Sequence, residues 1–184
     1  MSMLISFAPF IAFAILSRMV AMTTALSVAA ALAVLLMLYE RLHHGHAFKI
    51  LDIGVALLFG GLCGLLLISP AQWGAAEVGM WVDSGLVAIV AISMLVRQPF
   101  TLQYAREQVP AEVAAHPQFR QVNYVITSVW GLGFLVMAGS DFILSRIPAM
   151  PTAIGVTANV TAMVGAVWFT RWYPRYLRRR AIAA

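Results

Sequence analysis

Arg97-Gln98-Pro99-Phe100-Thr101-Leu102-Gln103-Tyr104-Ala105-Arg106-Glu107 is the one dense run of mixed charged, polar and aromatic residues in this chain. Before it, Val78 to Val96 carries a single charge, Asp83; after it, Val122 to Leu144 carries a single charge, Asp141. Each flank approaches the ~20 residues that an α-helix needs to cross the hydrocarbon of a bilayer. A polar connector between two membrane-length apolar runs points to a multi-pass helical membrane protein. The whole chain agrees: of 184 residues, 62% are hydrophobic and 10% charged, with a mean hydropathy of +0.88. A soluble domain carries about 25% charged residues, so this chain could not cover its own surface in water. A membrane β-barrel would show short alternating segments, whereas the apolar runs here are continuous.

Working outward, four more apolar segments appear: Met1 to Ser17, Met19 to Tyr39, Ile50 to Ser69 and Met150 to Thr170. The first spans only about 25 Å as a helix and contains Pro9, which would kink it or mark a broken start. The expected fold is therefore all-α: a multi-pass transmembrane bundle of six spans, or five plus a re-entrant first segment, with both termini cytoplasmic. Residues 1–184 form a single integral membrane domain, and residues 97–121 a cytoplasmic polar or interfacial connector between spans four and five. Pro99 and Pro110 suit the first turn of short helices within it. In this topology Arg41, Lys49, Arg97, Arg106, Arg120, Arg171, Arg175, Arg178, Arg179 and Arg180 lie inside, and only Arg18 and Arg146 outside. That ten-to-two split satisfies the positive-inside rule. The basic tail, Arg171 to Arg180, reads as an anchor on an anionic leaflet. The net charge of +5 is thereby explained without nucleic acid, for which no soluble domain exists. The opening residues lack a basic region and a small-residue cleavage site, so no removed signal peptide is expected.

Several side chains invite chemistry. Asp83 and Asp141 fall toward the same, outer, end of neighbouring spans. A carboxylate inside a bilayer is costly and marks a proton or cation pathway unless it reaches the headgroups or pairs with Arg146 or Arg18. Asp52 stands three residues after Lys49, a helical spacing that favours a local ion pair. Glu40, His43 and His44 would share a face if their helix continued, a weak metal-ligand set that matches no closed motif. In the central stretch, Arg97 and Arg106 could grip an anion. With Gln103, Tyr104 and Glu107 they could dock a partner, while Phe100, Leu102 and Tyr104 lie in the interface. Gly60-x-x-x-Gly64 and Thr152, Thr157, Asn159 and Thr161 suit close helix packing. Cys63, the single cysteine, is expected to be buried and inert. No nucleophile elbow, phosphate loop, dinucleotide fingerprint or metalloprotease helix is present. No catalytic residues, cofactor or resident metal are therefore expected, and an enzyme acting on lipid-linked substrates has no supporting constellation.

Phe7-Ala8-Pro9-Phe10-Ile11, a following span that ends in a loop containing His and Arg, and Leu58-Phe59-Gly60-Gly61-Leu62 resemble the bacterial intracellular septation protein A family. Members are small multi-pass inner-membrane proteins with a similar opening and an FGG-L motif in the third hydrophobic segment. The resemblance covers the first half of the chain. The family's Lys-Trp-Lys-Pro-like stretch is absent near Trp73 to Val82, and the RQPFTLQYARE run has no counterpart. The resemblance implies cell-envelope or septation upkeep in a bacterial cytoplasmic membrane through other membrane proteins, and carries over no catalytic residue; a homo-oligomer is a further expectation. The rival expectation is a small proton-coupled transporter or channel using Asp83 and Asp141.

Overall fold

The structure is a computed structural model that describes residues 5–44, 47–68, 73–147 and 149–183. Among the described residues there is no strand. A 3-10 turn, Ile5–Phe7, leads into α1 (Ala8–Leu16); α2 (Met22–His44), α3 (Ile50–Ile68) and α4 (Ala75–Leu95) follow. Two short helices, α5 (Phe100–Arg106) and α6 (Ala111–Ala115), precede the long α7 (Pro117–Arg146) and α8 (Thr152–Ala183). Five of these, α2, α3, α4, α7 and α8, are long and apolar enough to cross a membrane. This is an α-helical membrane protein.

Among the described residues, the first segment forms a nine-residue helix that rises about 14 Å. Pro9 sits in its first turn, where the missing N–H would have had no partner anyway. It marks a helix start rather than a kink; Met1 to Leu4 lie outside the described residues.

Helix α7 begins within the 97–121 connector. His116 caps it by accepting the Gln118 N–H at Nδ1, 3.3 Å away, and Pro117 takes the first turn. Residues 117–121 are therefore helical. The tail departs similarly: α8 runs on through Pro174 to Ala183. Phe169 stacks on Tyr173 just before the proline, and Trp172 stacks on Tyr176 across it, each with centroids 5.1 Å apart and four residues apart, which supports the helix through this turn.

Consecutive long helices pack against each other: α1 on α2, α2 on α3, α3 on α4, α4 on α7 and α7 on α8, while α5 and α6 cover one end of α7. The alternation gathers ten of the twelve basic residues at the end where α4 finishes and α7 begins, hereafter the arginine-rich end. Aromatic rings fill the centre. Phe7 stacks on Trp130 at 4.8 Å, Phe10 and Phe13 meet Phe59 at 5.0 and 5.6 Å, and Phe134 lies 5.7 Å from Trp130. Lipid is as apolar as these side chains, so packing rather than water exclusion holds them, at about 0.5–1.5 kcal/mol per ring pair. The Trp130 indole N–H donates to Thr170 Oγ1 at 2.9 Å, tying α7 to α8.

Close helix approach uses unexpected glycines. A Cβ on Gly54 would meet Ile89 at 2.7 Å, and one on Gly85 would overlap Leu58, so these two residues bring α3 onto α4. Gly60, Gly61 and Gly64 instead face away from the chain, with nothing within 4 Å of a Cβ placed on them. Cys63 is half-buried; its Sγ lies 3.1 Å from Ser27 Oγ.

Candidate functional site

At the arginine-rich end, Phe100, Thr101, Leu102 and Tyr104 are all buried, while Gln103 and Ala105 are half-buried and Arg106 is exposed. Most of α5 therefore packs into the bundle, leaving one edge open. Polar side chains hold it there. Ser93 Oγ accepts the Phe100 N–H at 3.3 Å. Thr101 Oγ1 donates to the Asn123 carbonyl at 3.0 Å and lies 2.7 Å from Thr127 Oγ1. Gln103 Oε1 accepts the Ile50 N–H at 2.8 Å, satisfying a donor at the start of α3.

Tyr104 and Glu107 complete a partly buried network. The Tyr104 hydroxyl donates to Asp52 Oδ1 at 2.7 Å, and the Ser6 side chain lies within reach of both. Lys49 bridges Glu40 Oε2 at 2.5 Å and Glu107 Oε1 at 3.1 Å, with its ammonium 4.7 Å from the Tyr104 ring centre. The local Lys49–Asp52 pair expected from spacing is thus replaced. Lys49 reaches two carboxylates on other elements, and Asp52 takes a phenol instead. Burial alone would lower the Lys49 pKa, but hydrogen bonds and charge from Glu40 and Glu107 more than offset it and hold it above 10.5. Burial first, and the Asp52 charge second, push the Tyr104 phenol far above its ordinary 10.0. Glu40 is turned to Lys49 rather than toward a metal, and His43 stacks on Tyr39 at 4.4 Å. The His44 side chain lies outside the described residues. Among the described residues no group of three His, Cys, Asp or Glu could hold a metal ion.

Of the five central candidates, Gln103, Tyr104 and Glu107 are therefore engaged within the chain, and Arg97 and Arg106 stay exposed. Arg97 has a left-handed backbone, φ 57°. Its N–H bonds Met94 O at 3.0 Å and the next N–H bonds Ser93 O at 2.9 Å, the closing pattern of a helix end usually built on glycine. Its carbonyl accepts Arg120 Nη2 at 2.6 Å.

The opposite end holds Asp83 and Asp141. Asp83 is the ninth residue of α4, about 12 Å from its start. Its side chain is only 5% exposed. Among the described residues it makes no hydrogen bond or ion pair, and its one electrostatic neighbour is Asp141. Gly79, one turn earlier on the same face, forms a notch in which the Asp141 carboxylate rests; a Cβ there would overlap Oδ2. Asn159 Nδ2 on α8 donates to Asp141 Oδ1 at 3.3 Å, while Asn159 Oδ1 is buried without a partner among the described residues.

No protein-family model, curated protein or solved structure matches the chain. Its chemistry has to be read from its own geometry.

Arg146, the expected counter-ion, lies instead over the Phe142 ring at 5.3 Å, and Arg18 is exposed. Three helices thus place two carboxylates and an amide together, with no cation among the described residues. Of the polar residues on α8, Thr157 bonds back to the Ala153 carbonyl at 2.8 Å, and only Asn159 joins this cluster. Gly79 escaped sequence reasoning because a lone glycine carries no pattern; its spacing of four from Asp83 was the available signal.

Proposed function

We propose that the protein is a non-enzymatic, multi-pass inner-membrane protein in which Asp83 and Asp141 together carry a proton or small cation across part of the bilayer. The arginine-rich end faces the cytoplasm, as the positive-inside count implies. The carrying observation is Asp83: buried deep in a span, facing a second carboxylate, with no cation or donor among the described residues. Two carboxylates at one low-dielectric site do not both stay ionised without a proton or cation between them. The unused oxygen of Asn159 adds a neutral ligand of the hard type that small cations favour. The test is flux in liposomes holding purified protein and a pH-sensitive dye, with an imposed proton or sodium gradient. Wild type dissipates one gradient; Asp83→Asn and Asp141→Asn each slow it at least ~10-fold with unchanged elution and melting. Wild-type flux in both variants, or no flux in wild type, overturns the reading.

A second reading, envelope or septation upkeep through membrane partners or a homo-oligomer, is supported by Gly60, Gly61 and Gly64. They face outward and touch nothing in the chain, and small residues on a lipid-facing helix permit close approach of another helix. Crosslinking of Gly64→Cys in a Cys63→Ser background tests it. Failure to trap any membrane partner or second copy counts against this reading.

A further inference from the structure

Between α5, α6, α7 and α8 at the arginine-rich end lies a cavity of about 830 Å³. That volume is within the range of small-molecule sites, roughly 300–1,000 Å³. Its walls are apolar: Val109, Val113, Val122, Ile126 and Leu177 contribute, and Thr101 and Asn123 spend their polar groups inside the bundle. Polar groups stand at its exposed rim: Arg178 from α8, Gln108, Glu112 from α6, and His116 and Gln118 at the start of α7, where His116 Nδ1 already accepts the Gln118 N–H.

Position and charge together define the occupant. With 30 residues, α7 is about 45 Å long, well beyond the ~30 Å of a hydrocarbon core. A cavity reaching from Ile126 to the first turn of α7 therefore straddles the boundary between acyl chains and headgroups. Its interior suits hydrocarbon. Its rim offers one guanidinium and one carboxylate, which complement a headgroup carrying both signs. A purely anionic headgroup would satisfy Arg178 but meet Glu112 as a like charge.

We propose that this cavity binds a zwitterionic membrane phospholipid whose headgroup carries a phosphate and a primary amine. An acyl chain lies along Val122 and Ile126, the phosphate on Arg178 and the amine on Glu112. Arginine is suited to the phosphate because its planar fork makes paired, charge-assisted hydrogen bonds. The site shares no residue with the Asp83–Asp141 cluster, so it stands or falls independently of the transport proposal.

The experiment is native mass spectrometry of the full chain, delipidated in detergent and titrated with phosphatidylethanolamine or phosphatidylglycerol. Phosphatidylethanolamine should bind about tenfold more tightly, the size expected when one charge-assisted contact replaces a like-charge encounter. Glu112→Gln should erase that preference, and Arg178→Gln should weaken both lipids. Val122→Trp should fill the cavity and abolish the tight binding event. Glu112 and Arg178 are exposed, so their substitution keeps the fold even if the tryptophan does not. Equal affinity for both lipids in wild type, or preference unchanged in Glu112→Gln and Arg178→Gln, overturns the proposal.

Discussion

Gly79→Ala tests whether Asp141 sits where the structure places it. The added methyl would overlap Asp141 Oδ2, with Cγ only 3.2 Å away. Gly79 is inside α4, so its backbone cannot swing aside; the carboxylate must. Moving it breaks the 3.3 Å bond from Asn159. Overpacking costs about 1–3 kcal/mol, and a hydrogen bond to a charged group contributes about 1.5–3 kcal/mol. Part of each is recovered when Asp141 finds another rotamer, so a net loss of about 2 kcal/mol is expected. A double-mutant cycle isolates the contact. In an Asp141→Ala background the methyl meets no carboxylate, and Gly79→Ala should then be neutral or mildly stabilising, because alanine is the better helix former by ~1 kcal/mol. The coupling should approach 2 kcal/mol, within the range for residues in direct contact. The assay is equilibrium unfolding in mixed micelles, followed by the fluorescence of Trp81 and Trp130. If Gly79→Ala costs the same in both backgrounds, Asp141 does not occupy the notch.

The network at the arginine-rich end predicts a loss of stability at alkaline pH. Lys49 and Tyr104 both have folded-state pKa values above their ordinary 10.5 and 10.0. A group whose pKa is raised on folding contributes fully below its unfolded value and less as pH rises past it. The melting temperature should therefore hold through neutral pH and fall above pH 10.0, with a shallower fall in Tyr104→Phe; an equal fall in the variant would exclude Tyr104 as a cause. Arg97→Gly should stabilise the protein by about 1 kcal/mol, since glycine adopts a positive φ without the side-chain clash. A lower melting temperature in that variant would mean that the Arg97 side chain contributes more than its backbone strain removes.

Long spans were legible because each depends on composition summed over some twenty residues, which is why Ile50 to Ser69 and Val78 to Val96 correspond closely to α3 and α4. What the polar residues do was not legible, because their partners are distant in the chain. Tyr104 meets Asp52 across 52 residues, Gln103 meets Ile50 across 53, and Thr101 meets Thr127 across 26. A polar run between spans suggests a surface connector; only tertiary contacts draw it inside. Lys49 shows the same bias, since spacing proposed Asp52 and the fold supplied Glu40 and Glu107. The last apolar segment was bounded at Thr170, yet α8 continues through Pro174, with Trp172 stacked on Tyr176 across it. Asp83 and Asp141 were recognisable as lone acids within apolar runs, and Asn159 as a polar residue on the last long helix. That α4, α7 and α8 would bring all three together required the packing order, in which α7 rather than α3 is the principal neighbour of α4.

The two ends of the bundle treat carboxylates in opposite ways. At the arginine-rich end Lys49 serves Glu40 and Glu107, and Tyr104 serves Asp52. Each contact joins separate elements, so the charges there act as fasteners between α2, α3 and the connector. At the other end Asp83 joins nothing among the described residues and faces another acid. A leucine at position 83 would fill similar space without the desolvation penalty of a buried charge, which amounts to several kcal/mol. Packing therefore gives no reason for a carboxylate there. The proposed uptake of a proton or cation would, because it needs a charged site whose neutralising partner can leave. A fixed arginine at Asp83 would convert that site into another fastener, and the position of Arg146 over Phe142 keeps its charge from serving as one.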